Sequence, residues 1–156
     1  MDALTVAAES PLDGDLDLLF ARHHAHCHAD TPPESIHMLD RSALVGEEFS
    51  FLVLRDRGRP VAMGALKQLG DGTVELKSMH VLQEARGTGA SRRLLSALID
   101  EARRRNAVAI SLETGAQPSF APARSLYARA GFRECPPFGN YRADPMSFYM
   151  RLDLQE

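Results

Sequence analysis

The chain has 156 residues, room for one domain with a proper core, and an ordinary globular composition of 44% hydrophobic and 25% charged residues. A net charge of −3 gives no general pull towards nucleic acid or anionic membrane, and no apolar run approaches the ~20 residues that a membrane helix needs. Met1-Asp2-Ala3-Leu4 lacks the start of a secretory signal, and Cys27 and Cys135 form no metal or disulfide framework, so a reduced, cytoplasmic protein is expected.

Residues 3–8 are short and apolar and predict a first strand. Pro11 and Gly14 break the chain, and a helix is predicted from about Asp15 to Ala29 with Leu16, Leu19, Phe20 and Cys27 as its apolar stripe. Within it, His23-His24-Ala25-His26-Cys27-His28 invites a metal, since His24 and His28 share a helix face. Spacing places no third ligand, so these read as solvated helix histidines and no metal is expected. Pro32-Pro33 ends the helix, and Ser35 to Leu39 reads as a second short helix.

Phe49 to Leu54, Val61 to Leu69 and Val74 to Leu82 read as three strands, the last two joined at Gly70-Asp71-Gly72 by a hairpin turn. In the third, Glu75 and His80 alternate onto opposite faces. Leu94, Leu95, Leu98, Ile99 and Ala102 give a one-sided helix stripe. Arg103-Arg104-Arg105 lies in its last turn, where cations favour the negative dipole end. Val108 to Glu113 is a buried-type strand, Pro122 to Ala130 a short helix stopped by Gly131, and Phe132 to Glu134 with Ser147 to Leu154 a final strand pair. The whole predicts one domain over residues 1–156 with a mixed α/β sheet, antiparallel in its N-terminal half.

Between the third strand and the following helix lies Arg86-Gly87-Thr88-Gly89-Ala90-Ser91. A glycine turn there aims backbone N–H groups and the positive helix end at one point, a phosphate cradle. A plain connection would also use such glycines. A Walker loop is excluded because no Gly-Lys pair occurs, and a dinucleotide fingerprint because Arg92 stands where its third glycine belongs.

The remaining pattern, Arg-x-x-Gly-x-Gly/Ala with Ser91 in the last place, resembles the coenzyme A loop of the GCN5-related N-acetyltransferase (GNAT) superfamily. Leu126-Tyr127-x-x-x-Gly131-Phe132 adds a second signature, and the order of elements matches from about Thr5 to Leu154. Pro32-Pro33-Glu34-Ser35, Lys77-Ser78-Met79, Leu112-Glu113-Thr114-Gly115, Phe120-x-Pro122-Ala123-Arg124 and Tyr141-Arg142-x-Asp144-Pro145-x-Ser147 together look like a bacterial GNAT subgroup described only as acetyltransferases.

The resemblance implies a GNAT-like sheet with a splayed strand before a pyrophosphate loop and helix. It implies acetyl-CoA as cosubstrate and transfer of the acetyl group to the amine of a small molecule by direct attack on the thioester. A protein or peptide N-acetyltransferase and a non-catalytic acyl-CoA sensor are the alternatives. The backbone of Met79, His80 and Val81 would pair with the pantetheine arm, and the amides of Arg86, Gly87, Thr88, Gly89, Ala90 and Ser91 would take the pyrophosphate. Phe120 stands where many members carry an asparagine, and with Ala123 it is assigned to the coenzyme site. Tyr127 maps onto the tyrosine beside the coenzyme sulfur, where a phenol can return a proton to the thiolate. Glu75 maps onto a general-base position, although an exposed strand charge paired with Lys77 fits as well, and Glu113 is a competing base. Glu34, Ser35, Glu113, Thr114 and Tyr141 are acceptor-site candidates, and the two carboxylates hint at a cationic amine. No nucleic-acid or membrane partner is expected, and a homodimer is left open.

Overall fold

A computed structural model describes residues 3–37 and 39–154. Seven strands form a single sheet: β1 (Leu4–Ala8), β2 (Phe49–Asp56), β3 (Arg59–Gln68), β4 (Thr73–Val81), β5 (Ala109–Gly115), β6 (Arg133–Glu134) and β7 (Ser147–Asp153). They lie in the order β1-β2-β3-β4-β5-β7-β6, and only β4 and β5 run parallel. The helices are α1 (Asp17–Ala29), α2 (Ala90–Arg104) and α3 (Ala121–Arg129).

Opposed residues share a face of a sheet, so the register assigns the layers. Phe20 of α1 stacks on Phe51 of β2 with ring centroids 5.9 Å apart, and Phe51 opposes Ala65. The adjacent pair, Leu52 and Gly64, points the other way. There α2 packs so closely that a Cβ on Gly64 would lie 2.7 Å from a methyl of Leu98. The two helices therefore cover opposite faces. The predicted stripe of α2 is the one that is buried: Leu94, Leu95, Leu98 and Ala102. Burying each leucine there is worth roughly 1.5–3 kcal/mol.

The sheet opens where the parallel pair ends. β4 and β5 pair only from Thr73 opposite Ala109 to Leu76 opposite Leu112. Beyond that point β4 continues against β3 and β5 against β7. A bulge marks the opening: Ser78 has φ 56, and the register shifts between Met63 and Ala65. Lys77 opposes Ala65 while His80 opposes Met63, so Ser78 and Met79 together span the place of Gly64. The bulge changes the phase of alternation. Glu75, Lys77 and His80 consequently share the α1 face, contrary to the simple alternation that set Glu75 and His80 apart.

Four further expectations are corrected. Pro33–Ser35 forms one 3-10 turn, Ile36 is extended, and the next turn is Arg41–Leu44, so no helix runs from Ser35 to Leu39; Met38 lies outside the described residues. The two prolines set up a single turn, and the β-branched Ile36 leaves it for the extended region. The buried members of α1 are Leu19, Phe20 and His23, with Cys27 only partly covered. His23 is thus not a solvated histidine, because α1 lies across β4 and presses it against His80 at 5.4 Å. Glu75 is 5% exposed and so is not a surface strand charge. Gly131 has φ 106 directly after α3, as a helix stop requires. Among the described residues no helix is long and apolar enough to cross a membrane, and no group of three or more His, Cys, Asp or Glu is placed to hold a metal.

Candidate active site

The splay between β4 and β5 leads into a groove of about 430 Å³. Met79, His80 and Val81 form one wall, Arg86, Gly87, Gly89, Ser91 and Arg92 the end, and Ala123, Leu126, Tyr127 and Arg129 of α3 the other wall. Gly87 and Gly89 have φ values of 79 and 85, which glycine adopts without a Cβ penalty. They turn the chain directly into α2, whose first N–H groups have no partner within the helix. With Arg86, Arg92 and Arg129 around it, this end of the groove suits a diphosphate. Two of the expected coenzyme residues, Thr88 and Ala90, are not in the groove lining. Thr88 donates its hydroxyl to the Ala85 carbonyl, and Ala90 is buried in the core.

On the α1 face, the groove meets a chamber of about 130 Å³. His26, Met79, Ala123 and Tyr127 line both spaces. The chamber's floor is Glu75 and Lys77 from β4 and Glu113 and Thr114 from β5. Its cover comes from α1 (His23, His26, Cys27), the segment around Ser35 and His37, and Tyr141 from the long β6–β7 connection. Phe120, expected at the coenzyme, stands in the chamber wall, stacked on His26 at 4.4 Å. Ser35 donates to the Asp144 carboxylate at 2.6 Å and so ties the cover to the β6–β7 connection. Glu34 does not reach the chamber. It is exposed and lines an outer cleft of about 760 Å³.

His37, Glu75, Lys77 and Tyr141 border both the chamber and the outer cleft, forming a neck between them. Three of these four are bonded to each other. The Tyr141 hydroxyl donates to Glu75 Oε2 at 2.5 Å, and the Lys77 ammonium donates to that same oxygen at 3.1 Å and to Tyr141 Oη at 3.0 Å. The Lys77 and Glu75 side chains are 9% and 7% exposed, so this is a buried ion pair. Of the two carboxylates that suggested a cationic acceptor, Glu34 lies outside the chamber and Glu113 lines it.

Glu113 has no such partner. Burial pushes its carboxyl up to about 7; the nearby Ser147 hydroxyl and the Lys77 charge oppose the shift, and Glu75 and Asp144 add to it. Burial likewise raises the Tyr127 phenol above its ordinary value and keeps it protonated. Burial also depresses the two histidines on the wall, His80 to about 4 and His23 to about 3, so both are neutral. Burial raises the Cys27 thiol to about 11, which leaves it a weak nucleophile.

Lys77, His37 and Asp144 were missed as site residues. Lys77 and Asp144 lie in two of the segments that carry the subgroup resemblance, Lys77-Ser78-Met79 and Tyr141 to Ser147, and that was their only signal.

A family model described as the acetyltransferase (GNAT) family matches residues 16–132. The chain belongs to this family. The uncharacterized N-acetyltransferase YsnE of Bacillus subtilis (strain 168) is 40% identical over 132 residues, which are 83% of this chain and 87% of that protein. The IAA acetyltransferase of Azospirillum brasilense is 37% identical over 155 residues, 99% of this chain and 100% of its own. In fold, the chain superposes on the yncA protein of Salmonella typhimurium, solved with its cofactor acetyl-CoA, with a TM-score of 0.70. That match has 23% identity and covers 99% of this chain and 96% of the other. The chain is an acetyltransferase enzyme with the GNAT fold, and the family uses acetyl-CoA.

Proposed function

We propose that residues 1–156 act as one domain that transfers the acetyl group of acetyl-CoA to the amine of a small molecule by direct attack on the thioester. The carrying observation is the meeting of groove and chamber at Met79, Ala123 and Tyr127, with a partly buried carboxylate outside any ion pair, Glu113, on the chamber side. Bound in the groove, acetyl-CoA supplies an activated carbonyl and a thiolate leaving group. The β4 backbone from Met79 to Val81, without a strand neighbour on its β5 side, aligns the pantetheine arm, and the Met79 N–H polarises the carbonyl. The amides from Arg86 to Ser91 hold the diphosphate.

Attack needs a neutral amine, and Glu113, poised near 7, takes the ammonium proton. Glu75, the base position implied by the family, has Oε2 occupied by Lys77 and Tyr141 and shapes the neck instead. Tyr127 keeps its proton and gives it to the departing thiolate. Ser35, Thr114 and Tyr141 bound the space for the acceptor.

A chamber of only about 130 Å³ favours a metabolite over a protein tail, which would need a continuous open cleft. The Azospirillum relative bears the name of an acetyltransferase for a named compound, and this agrees with a small acceptor. Isothermal titration tests the first half: acetyl-CoA is expected to bind at micromolar levels or tighter, on the order of −8 kcal/mol. Mass spectrometry of products from an amine library tests the second. Absence of acetyl-CoA binding sinks the reading.

A further inference from the structure

The neck holds more hydrogen-bond donors than the protein uses. The Lys77 ammonium has three N–H groups and spends two, on Glu75 and Tyr141. Nε2 of His37 and Oγ of Ser78 are buried without any partner, although His37 borders both chamber and cleft and Ser78 lines the chamber. Buried polar groups are normally paired, and leaving one unpaired is costly. Three unspent groups around one small space point to a ligand that supplies what they lack. Each can donate, so the complementary group is rich in lone pairs and has no need of a donor of its own.

Resting on the acetyltransferase reading above, we infer that the acceptor is an amino carboxylate, an amino acid or a close relative. Its ammonium meets Glu113, and its carboxylate is held on the chamber side of the neck by Lys77, His37 and Ser78. Such a zwitterion matches the charges that line the chamber. Glu75 is already neutralised by Lys77, so one carboxylate, Glu113, remains for the ammonium. The substrate's own carboxylate takes the idle donors. A simple alkylamine or a diamine would leave all three unsatisfied.

The test is a matched panel with acetyl-CoA: free amino acids of varied side chain, their carboxamides, the corresponding decarboxylated amines, and phosphoethanolamine. Initial rates are followed by coenzyme A release and the products identified by mass spectrometry. At least one free amino acid is expected to exceed its amide and its decarboxylated amine by about tenfold or more in kcat/KM, which is about 1.4 kcal/mol. Lys77→Met is expected to shrink that ratio to about threefold or less, whatever the absolute rate. Because Lys77→Met strands a buried Glu75 charge, the double variant Lys77→Met/Glu75→Gln carries the same ratio test without it. Equal or better use of the decarboxylated amines or of phosphoethanolamine overturns the inference and leaves acetyl transfer standing. So does a ratio unchanged in the double variant. Loss of acetyl-CoA binding itself would instead remove the parent reading.

Discussion

The coenzyme groove and the acceptor chamber share a wall but are made of different material. The groove is a backbone site. A bulged strand with no neighbour on one side, two glycines at positive φ and the start of α2 build its first wall and its end within 14 residues of chain, from Ser78 to Ser91, and α3 closes the other side. The chamber is a side-chain site. Its Glu75, Glu113, His37 and Tyr141 come from β4, β5, the segment after α1 and the β6–β7 connection. A site made of backbone tolerates most substitutions and fixes how a common cofactor part is held. A site made of side chains from four segments can change its ligand without touching the fold. If this division is right, variants on each side should separate coenzyme binding from turnover.

The largest expected effect is on the chamber side. Glu113→Gln keeps the shape and removes the base. It should lower kcat by about 100-fold or more while leaving acetyl-CoA affinity unchanged. The wild-type rate should rise with pH through about 7, because the carboxyl must lose its proton to act, and the variant should lack that limb. If the limb survives in Glu113→Gln, the base lies elsewhere and Glu75 returns as the candidate.

Next comes the groove. A Cβ at Gly89 would meet no protein atom within 4 Å, so the site is open, yet φ there is 85. Gly89→Val should therefore fold, at a local strain of roughly 1–2 kcal/mol. It should weaken acetyl-CoA by about tenfold or more, both by moving the amides and by intruding where the diphosphate lies. Arg86→Ala should do less, since the backbone donors remain. A folded Gly89→Val protein that binds normally by titration would show that the cradle is elsewhere.

The same division explains what could be read in advance. The groove was legible because glycine spacing, strand alternation and a helix stripe are local signals within one stretch of chain. Even there the bulge at Ser78 was hidden: serine carries no mark of a positive φ, and so the faces of Glu75 and His80 were misassigned. Glu113 and Tyr141 were recognised as candidates through the family pattern, but their states were not. The pairing of Glu75 with Lys77 was one of the two readings open from sequence, but the third member of the cluster, Tyr141, comes from 66 residues away. That Glu113 is left unpaired depends on the same contacts. Solvated histidines were a fair reading of α1 taken alone, and only its seat across β4 buries His23.

The smallest predicted effect tests the shared wall, where buried histidines and a buried acid oppose each other. His80 and His23 have folded values near 4 and 3 against an ordinary 6.5. The unfolded chain then binds protons that the folded one refuses, so stability falls as pH drops from 6.5 through 4. Glu113 acts with the opposite sign. Its folded value near 7 exceeds the ordinary 4.5, so the folded state holds a proton the unfolded one has lost, and stability falls as pH rises from 4.5 through 7. Between 4.5 and 6.5 the two histidines outweigh the one acid, leaving a net loss towards acid of up to about 1.4 kcal/mol per pH unit. Urea unfolding at pH 4.5, 5.5, 6.5 and 7.5 measures it. His80→Asn should flatten the acid slope, whereas Glu113→Gln should steepen it and raise stability above pH 7 relative to wild type. An unchanged slope in His80→Asn would mean that His80 opens to water before it titrates, and the wall between groove and chamber would then be looser than its packing against His23 and His26 implies.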